Sequence, residues 1–469
     1  MFKRALTVFV CLLLGVAVLC GCAGNGDQPG YEYEASDSPE TSDAPSTNNG
    51  YQSGTVDTSG IPEVKGKITF SYPAETPAKQ NAADAFIKAF NSKYPNVTVE
   101  CDYGYNVSNA RLRIQAGNIG DVFYTTEGSV YNLAVTENAL MNLSYYADAF
   151  SIDRDDVYSS VYDAGVIDDE LYYVARDFSQ MIMFFNRDAV NAANVSQYVQ
   201  DGWNWSTFLE VCETVTNSHY YGAYIDLLYD PVFVPLLNAK VGRDAWYDTT
   251  TQKVNLTAPG TADAIADLIA AHKSGFINLG WGSSSEDFAN KEPVFRQMVY
   301  IQAEVYGQTC DLNSIDWEMI HLPLANKVGN SAFGFGTSGF CVSKQTRNPN
   351  AAAAFALFCY TREGQCAFNN QVGGSVPVLK SLKNEGFWQH EGDFEYNWEH
   401  KNWSSCVYRA DEFAVPGQLQ SILPDAVADT FEDAWRDKIK EVINGTLELE
   451  QAMQEIEQIT NQKWASLKK

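Results

Sequence analysis

Residues 67–101 read KITFSYPAETPAKQNAADAFIKAFNSKYPNVTVEC, and their pattern decides the fold. Residues 67–72 form an alternating apolar run, which Pro73 and Pro77 then interrupt. Ala82, Phe86 and Phe90 recur at helical spacing. Tyr94-Pro95-Asn96 stops that helix, and residues 97–101 alternate again as a second strand. Two strands joined through a helix lie parallel, since a tight turn cannot connect parallel neighbours. The chain is therefore expected to be an α/β protein. Residues 111–117 predict a short helix and 121–124 a third, buried strand. Ligands of open α/β sheets dock beyond the carboxyl ends of the strands. The loops after the first and third strands thus mark one wall of a possible site.

Further strands are expected at 170–174 and 181–185. Helices are expected at 206–216, 259–272, 351–360 and 446–467. The body after residue 63 is roughly 400 residues long, beyond the size at which one core keeps growing, so two lobes are the default. A hydrophobic fraction of 45% supplies both cores. The formal charge of -27 argues against nucleic acid or an anionic membrane as a partner, because both need basic patches. Seven cysteines follow residue 23: Cys101, Cys212, Cys310, Cys341, Cys359, Cys366 and Cys406. The odd count leaves at least one unpaired within the chain, and most sit among apolar neighbours like small buried hydrophobes. The five histidines lack metal-ligand spacing, so neither a metal site nor a cofactor is expected.

The amino terminus is a leader in form. Lys3 and Arg4 precede an apolar run over 5–18, shorter than the ~20 residues that a membrane-spanning helix needs. The run closes on Leu19-Cys20-Gly21-Cys22, which resembles the lipobox of a bacterial lipoprotein. That resemblance implies a signal peptide over 1–21 and a lipid on Cys22. Residues 23–62 hold no Lys or Arg and are Gly, Ser, Thr, Asn, Asp, Glu and Pro-rich. Such a stretch buries too little apolar surface to order itself, so 22–63 is expected to be a lipidated cysteine and an acidic linker. The expected location is the outer face of the cell membrane of a Gram-positive bacterium.

The order of segments in the body resembles the extracellular solute-binding proteins of ABC importers, the large family with maltose- and oligosaccharide-binding members. The resemblance rests on FIKAFNSKYPNVTV (86–99), GDVF (120–123), LMNL (140–143), DELYYVARDFSQMIMFFNRD (169–188), GWNWSTF (202–208), AAAAFALFCYTREGQ (351–365) and GGSVPVL (373–379). It departs at Ala175-Arg176, where the family has proline, and at 288–298, which lacks the family's Gly-Lys. The resemblance implies a two-lobed, type II periplasmic-binding-protein-like fold. Each lobe would be a mostly parallel sheet flanked by helices, hinged by crossover strands near 174–178 and 319–324. Lobe one would take 64–175 plus 325–376, and lobe two 177–322 plus 377–469. A hinged pair of lobes closes on its ligand by rigid-body bending.

The function implied is capture of a carbohydrate, an oligosaccharide by family precedent, for ABC permease subunits, by a membrane-anchored monomer. Sugars need aromatic planes for their CH faces and polar side chains for their hydroxyls. Lobe-one candidates are Tyr72, Glu75 and Glu127 at strand ends, with Arg176 and Asp177 at the crossing. Lobe-two candidates are Tyr229, Asp230, Trp281 between glycines, and Glu304 with Tyr306, placed on a loop where the family often puts an aromatic platform. Trp388, Trp398 and Trp403 lie in a polar stretch that reads equally as a cleft insertion or a peripheral loop. Other readings stay open: a binding protein that feeds a sensor kinase, or a polyamine or peptide binder. A lipid-anchored glycoside hydrolase would need two carboxylates ~5 to 9 Å apart across a cleft. No nucleophile elbow or phosphate loop accompanies the acids, so no enzyme is expected.

Overall fold

Thr76 opens the first helix, Pro77–Lys93, by accepting a hydrogen bond from Lys79 N at 3.3 Å, and Pro77 fills the first turn where no N–H is missed. Its buried face of Ala82, Ala83, Phe86 and Phe90 lies against Phe355 of the alanine-rich helix Pro349–Leu357, with ring centroids 5.2 and 5.0 Å apart. The computed structural model describes residues 62–467 apart from 75, 244, 280–291, 371–373 and 390–397. The expected leader, the lipidated Cys22 and the linker up to residue 61 lie outside the described residues. So do Glu75 and Trp281.

The first sheet runs in the order Val97–Asp102, Gly66–Ser71, Val122–Thr126, Ser338–Val342, Tyr173–Ala175. Its first three strands are parallel, and Ser338–Val342 is antiparallel to both neighbours. Ile68 and Phe70 point into one core, as their alternation requires. The second sheet repeats this plan with Ile277–Asn278, Tyr221–Tyr224, Pro293–Met298, Ile182–Asn186 and Trp317–His321. Again three strands are parallel and the fourth, Ile182–Asn186, is antiparallel to both neighbours. In each sheet the antiparallel strand is the one the chain lays down after leaving the other sheet. The architecture is thus two α/β lobes that exchange strands, the type II periplasmic-binding-protein plan.

A small third sheet, Ala414–Pro416, Phe333–Gly336 and Ser179–Gln180, lies at these exchanges. The first crossing falls at Arg176-Asp177-Phe178, inside the expected stretch. The return crossing does not fall at 319–324. Trp317–His321 is an edge strand of the second sheet, paired along its whole length with Ile182–Asn186, and the chain crosses back at Gly336-Thr337-Ser338. Phe333 accordingly packs beside Phe413 in the second lobe's core, while Phe335 already packs beside Phe178 of the first crossing, so the expected lobe-one start at 325 falls before the crossing.

Glu304 and Tyr306 are not on a loop. They lie in a helix, Tyr300–Leu312, whose buried face is Tyr300, Ala303, Tyr306, Gly307 and Cys310. Gly307 is required there, since a Cβ would stand 2.6 Å from Trp317 Cζ2. Trp388, Trp398 and Trp403 of the polar-looking stretch after residue 386 pack against this helix and are core. Trp398 Nε1 donates to Asp311 Oδ2 at 2.6 Å, Trp403 Nε1 to Trp398 O at 2.9 Å, and Trp388 Nε1 to Leu382 O at 3.0 Å. The carboxyl-terminal helices Asp425–Ile443 and Leu449–Ser466 pack on each other and into the second lobe's core, where Trp435 stacks on Phe233 of the helix Asp230–Val241 at 4.2 Å. Among the described residues no helix is long and apolar enough to cross a membrane. The seven cysteines of this body are free thiols.

Candidate functional site

Both crossings pass beside one another, and that meeting point gathers polar side chains from both lobes. Arg176 and Asp177 form an ion pair across the first crossing. Asp177 Oδ1 accepts from Ser338 N at 2.7 Å and Oδ2 from Ser338 Oγ at 2.8 Å, while Arg176 Nη2 donates to Ser338 Oγ at 2.9 Å. The guanidinium also lies 4.7 Å from the Phe368 ring centroid. Burial works most strongly against its charge, but Asp177 together with Tyr72, Tyr124 and Cys359 more than offsets it, so Arg176 stays protonated. The two residues spend their hydrogen-bonding capacity largely on the hinge, fixing one crossing to the other.

Glu127 follows the strand Val122–Thr126 and is 2% exposed. Its Oε2 accepts from Thr337 N at 2.9 Å, whereas its buried Oε1 has no partner. Burial pushes its carboxyl up to about 8, against the Thr337 bond, and Asp177 and Asp230 add repulsion. Asp230 starts the helix Asp230–Val241. Its Oδ2 accepts from Leu419 N at 2.9 Å, and burial pushes it up to about 7. Tyr229 beside it is 47% exposed, the most open aromatic at this junction. The lobe-one turn after Glu127 abuts the lobe-two turn before Leu419 so closely that a Cβ on Gly128 would stand 2.5 Å from Gln418 Oε1. Gly334 and Gly417 both press on Pro231, which seats the helix start against the crossing strands.

Of the residues named from sequence, the structure brings together Glu127, Arg176, Asp177, Tyr229 and Asp230. Tyr72 lies behind them, 3% exposed, its ring 5.4 Å from Phe70, 5.5 Å from Tyr124 and 5.6 Å from Phe368. Glu304 and Tyr306 lie apart from this group: Tyr306 is buried near Phe184, with ring centroids 6.2 Å apart, and Glu304 stands beside Cys406. Sequence reasoning missed Thr337, Ser338 and Gln418, whose roles arise only from pairing across more than a hundred residues. It also missed a row at the carboxyl end of the second sheet. Asn278, Tyr224 and Arg296 stand in register on three adjacent parallel strands, with Asp226 in the loop just beyond. Among the described residues no three His, Cys, Asp or Glu side chains gather to hold a metal ion.

The arrangement provides buried acids, hydroxyls and an open aromatic between two hinged lobes, which suits holding a polar solute. No curated protein sequence matches the chain. Solved structures match its fold over most of its length. The sugar-binding protein MalE of Xanthomonas citri superposes with a TM-score of 0.71 at 15% identity, covering 86% of this chain and 98% of that one. An ABC substrate-binding protein of Listeria monocytogenes, in complex with cycloalternan, gives 0.67 at 17% identity over 86% and 99%. The cyclic α-maltosyl-1,6-maltose binding protein of Arthrobacter globiformis gives 0.68 at 15% over 86% and 100%. A family model described as bacterial extracellular solute-binding protein matches residues 85–395, both lobes and both crossings included. The chain belongs to the bacterial extracellular solute-binding proteins.

Proposed function

We propose that this protein captures a carbohydrate outside the cell and presents it to the membrane subunits of an ABC importer. The observation that carries the reading is the convergence of Glu127 from one lobe with Tyr229 and Asp230 from the other at the paired crossings. Acids and an exposed tyrosine are the groups that hydroxyls and CH faces need. Structures of like fold hold cycloalternan and maltotetraose, which supports a carbohydrate over a peptide or polyamine. Ligand bridging the two lobes would favour the closed form, and the permease would read that form. The leader ending in Cys22 supplies a lipid anchor in this reading, and the acidic segment after it a tether. The ligand contacts proposed are Glu127, Tyr229 and Asp230, with Glu75 and Trp281 as further candidates. Arg176 and Asp177 serve chiefly to hold the hinge.

Isothermal titration against a panel of neutral and acidic oligosaccharides tests this. Saturable binding of at least one member, weakened at least tenfold by Tyr229→Ala, is expected. Folded protein that binds no glycan would overturn the carbohydrate reading.

A further inference from the structure

Arg296 holds a charge that neither the hinge nor the described packing of the second lobe accounts for. Its strand, Pro293–Met298, ends two residues further on, at the edge where solutes of such sheets dock. The guanidinium carbon lies 4.5 Å from the Tyr224 ring centroid and 5.1 Å from that of Tyr306. Its Nη1 is buried and has no hydrogen-bond partner. Every other arginine whose guanidinium reaches a buried position here is matched: Arg176 by Asp177, Arg436 by Glu432 and Asp433. Arg296 has no such ion pair among the described residues. Asp226 is the acid that attracts it, but it stands beyond ion-pair distance, and it already accepts from Leu228 N at 3.2 Å.

Two aromatic faces recover only part of what taking a guanidinium out of water costs; the rest needs an anion at hydrogen-bonding distance. A half-buried charge with one buried donor left unpartnered in a binding protein is a preorganised half-site, since the missing partner can arrive with the ligand. The guanidinium fork matches a carboxylate in geometry, with two parallel N–H donors. Asp226 lies in the loop beyond it, and Asn278 stands in the same row on the far side of Tyr224; both are groups suited to hydroxyls.

We infer that Arg296, clamped between Tyr224 and Tyr306, receives an anionic group of the solute, so that the preferred ligand is an acidic oligosaccharide carrying a uronic acid carboxylate. This rests on the carbohydrate reading and narrows it. The protein's negative charge opposes such a ligand only at long range, where salt screens it beyond roughly 8 Å at physiological ionic strength. At contact the local guanidinium dominates.

Titration of the whole protein with pairs of oligosaccharides that differ only at C6, galacturonate against galactose and glucuronate against glucose, tests the inference. At least one acid form is expected to bind on the order of 100-fold more tightly than its neutral twin. Arg296→Met is expected to abolish that preference while thermal unfolding stays cooperative. Arg296→Lys, which keeps the charge but loses the fork, is expected to retain a preference reduced roughly tenfold. Neutral oligosaccharides that bind as well as or better than their acid twins would overturn the inference and leave the carbohydrate reading standing. So would an acid preference that survives Arg296→Met. Absence of binding by every glycan would overturn both.

Discussion

Asp177 accepts from two Ser338 donors and pairs with Arg176, so one carboxylate ties two crossings that are 161 residues apart in sequence. Removing one partner of a buried pair leaves the other charge uncompensated, which costs about 3–5 kcal/mol. Asp177→Ala should lower stability in urea by that amount, and Arg176→Met with Asp177→Ala together should cost less than Asp177→Ala alone. A double variant worse than the single would contradict the pairing. The free thiols give a second check. Burial raises Cys212, Cys341, Cys359 and Cys406, so these should resist a thiol reagent in the native protein and react once it is unfolded. At this scale the acids after strand ends were readable from sequence because a carboxyl end of a parallel strand is a docking edge whatever surrounds it. Thr337, Ser338 and Arg296 carry no local signature. Their importance comes from partners that only the fold supplies.

At the scale of elements, the turn Glu127–Ser129 is where titration should be felt. A carboxyl whose pKa is higher in the folded chain than in the unfolded one keeps its proton longer when folded. Its contribution therefore favours folding on the acid side and is lost as pH rises toward the folded value. For Glu127 that window runs from the ordinary carboxylate range up to about 8, and for Asp230 up to about 7. Glu127→Gln removes the ionisation, so it should be more stable than the parent at pH 8 by on the order of 2 kcal/mol, with the difference shrinking toward pH 5. Parallel thermal melts of the two proteins across that range check it; a constant difference would mean that Glu127 is not buried as described. The tryptophans that follow residue 386 make a packing prediction. Trp398, stacked edge-on to Trp317 at 5.3 Å and bonded to Asp311, should cost about 3–5 kcal/mol in urea unfolding when changed to Ala. Long periodic elements were legible: the strand expected at 67–72 is Gly66–Ser71, and the helix expected at 446–467 is Leu449–Ser466. The helix Tyr300–Leu312 was not, because its buried face uses small and polar-edged residues, with Gly307 admitting Trp317. The hinge sheet was not, because strands of two to four residues are too short to show a period.

At the scale of the molecule, two sheets built to one plan exchange their antiparallel strands, and the exchange places both crossings side by side. The lobed α/β plan was legible because the strand-helix-strand unit at 67–101 forces a parallel sheet and the length forces a second core. The return crossing was misplaced because it was projected from the family resemblance, and no local pattern marks Gly336-Thr337 as the bend. If lobes hinged at these crossings close on solute, small-angle scattering should register a smaller radius of gyration once a bound glycan is added. The most direct test is a crystal structure with the tightest-binding oligosaccharide from the titration panel. The account predicts glycan density between the lobes, within hydrogen-bonding distance of Glu127 or Asp230 and against the Tyr229 ring. Density confined to any other surface, with this junction filled only by protein side chains, would contradict it.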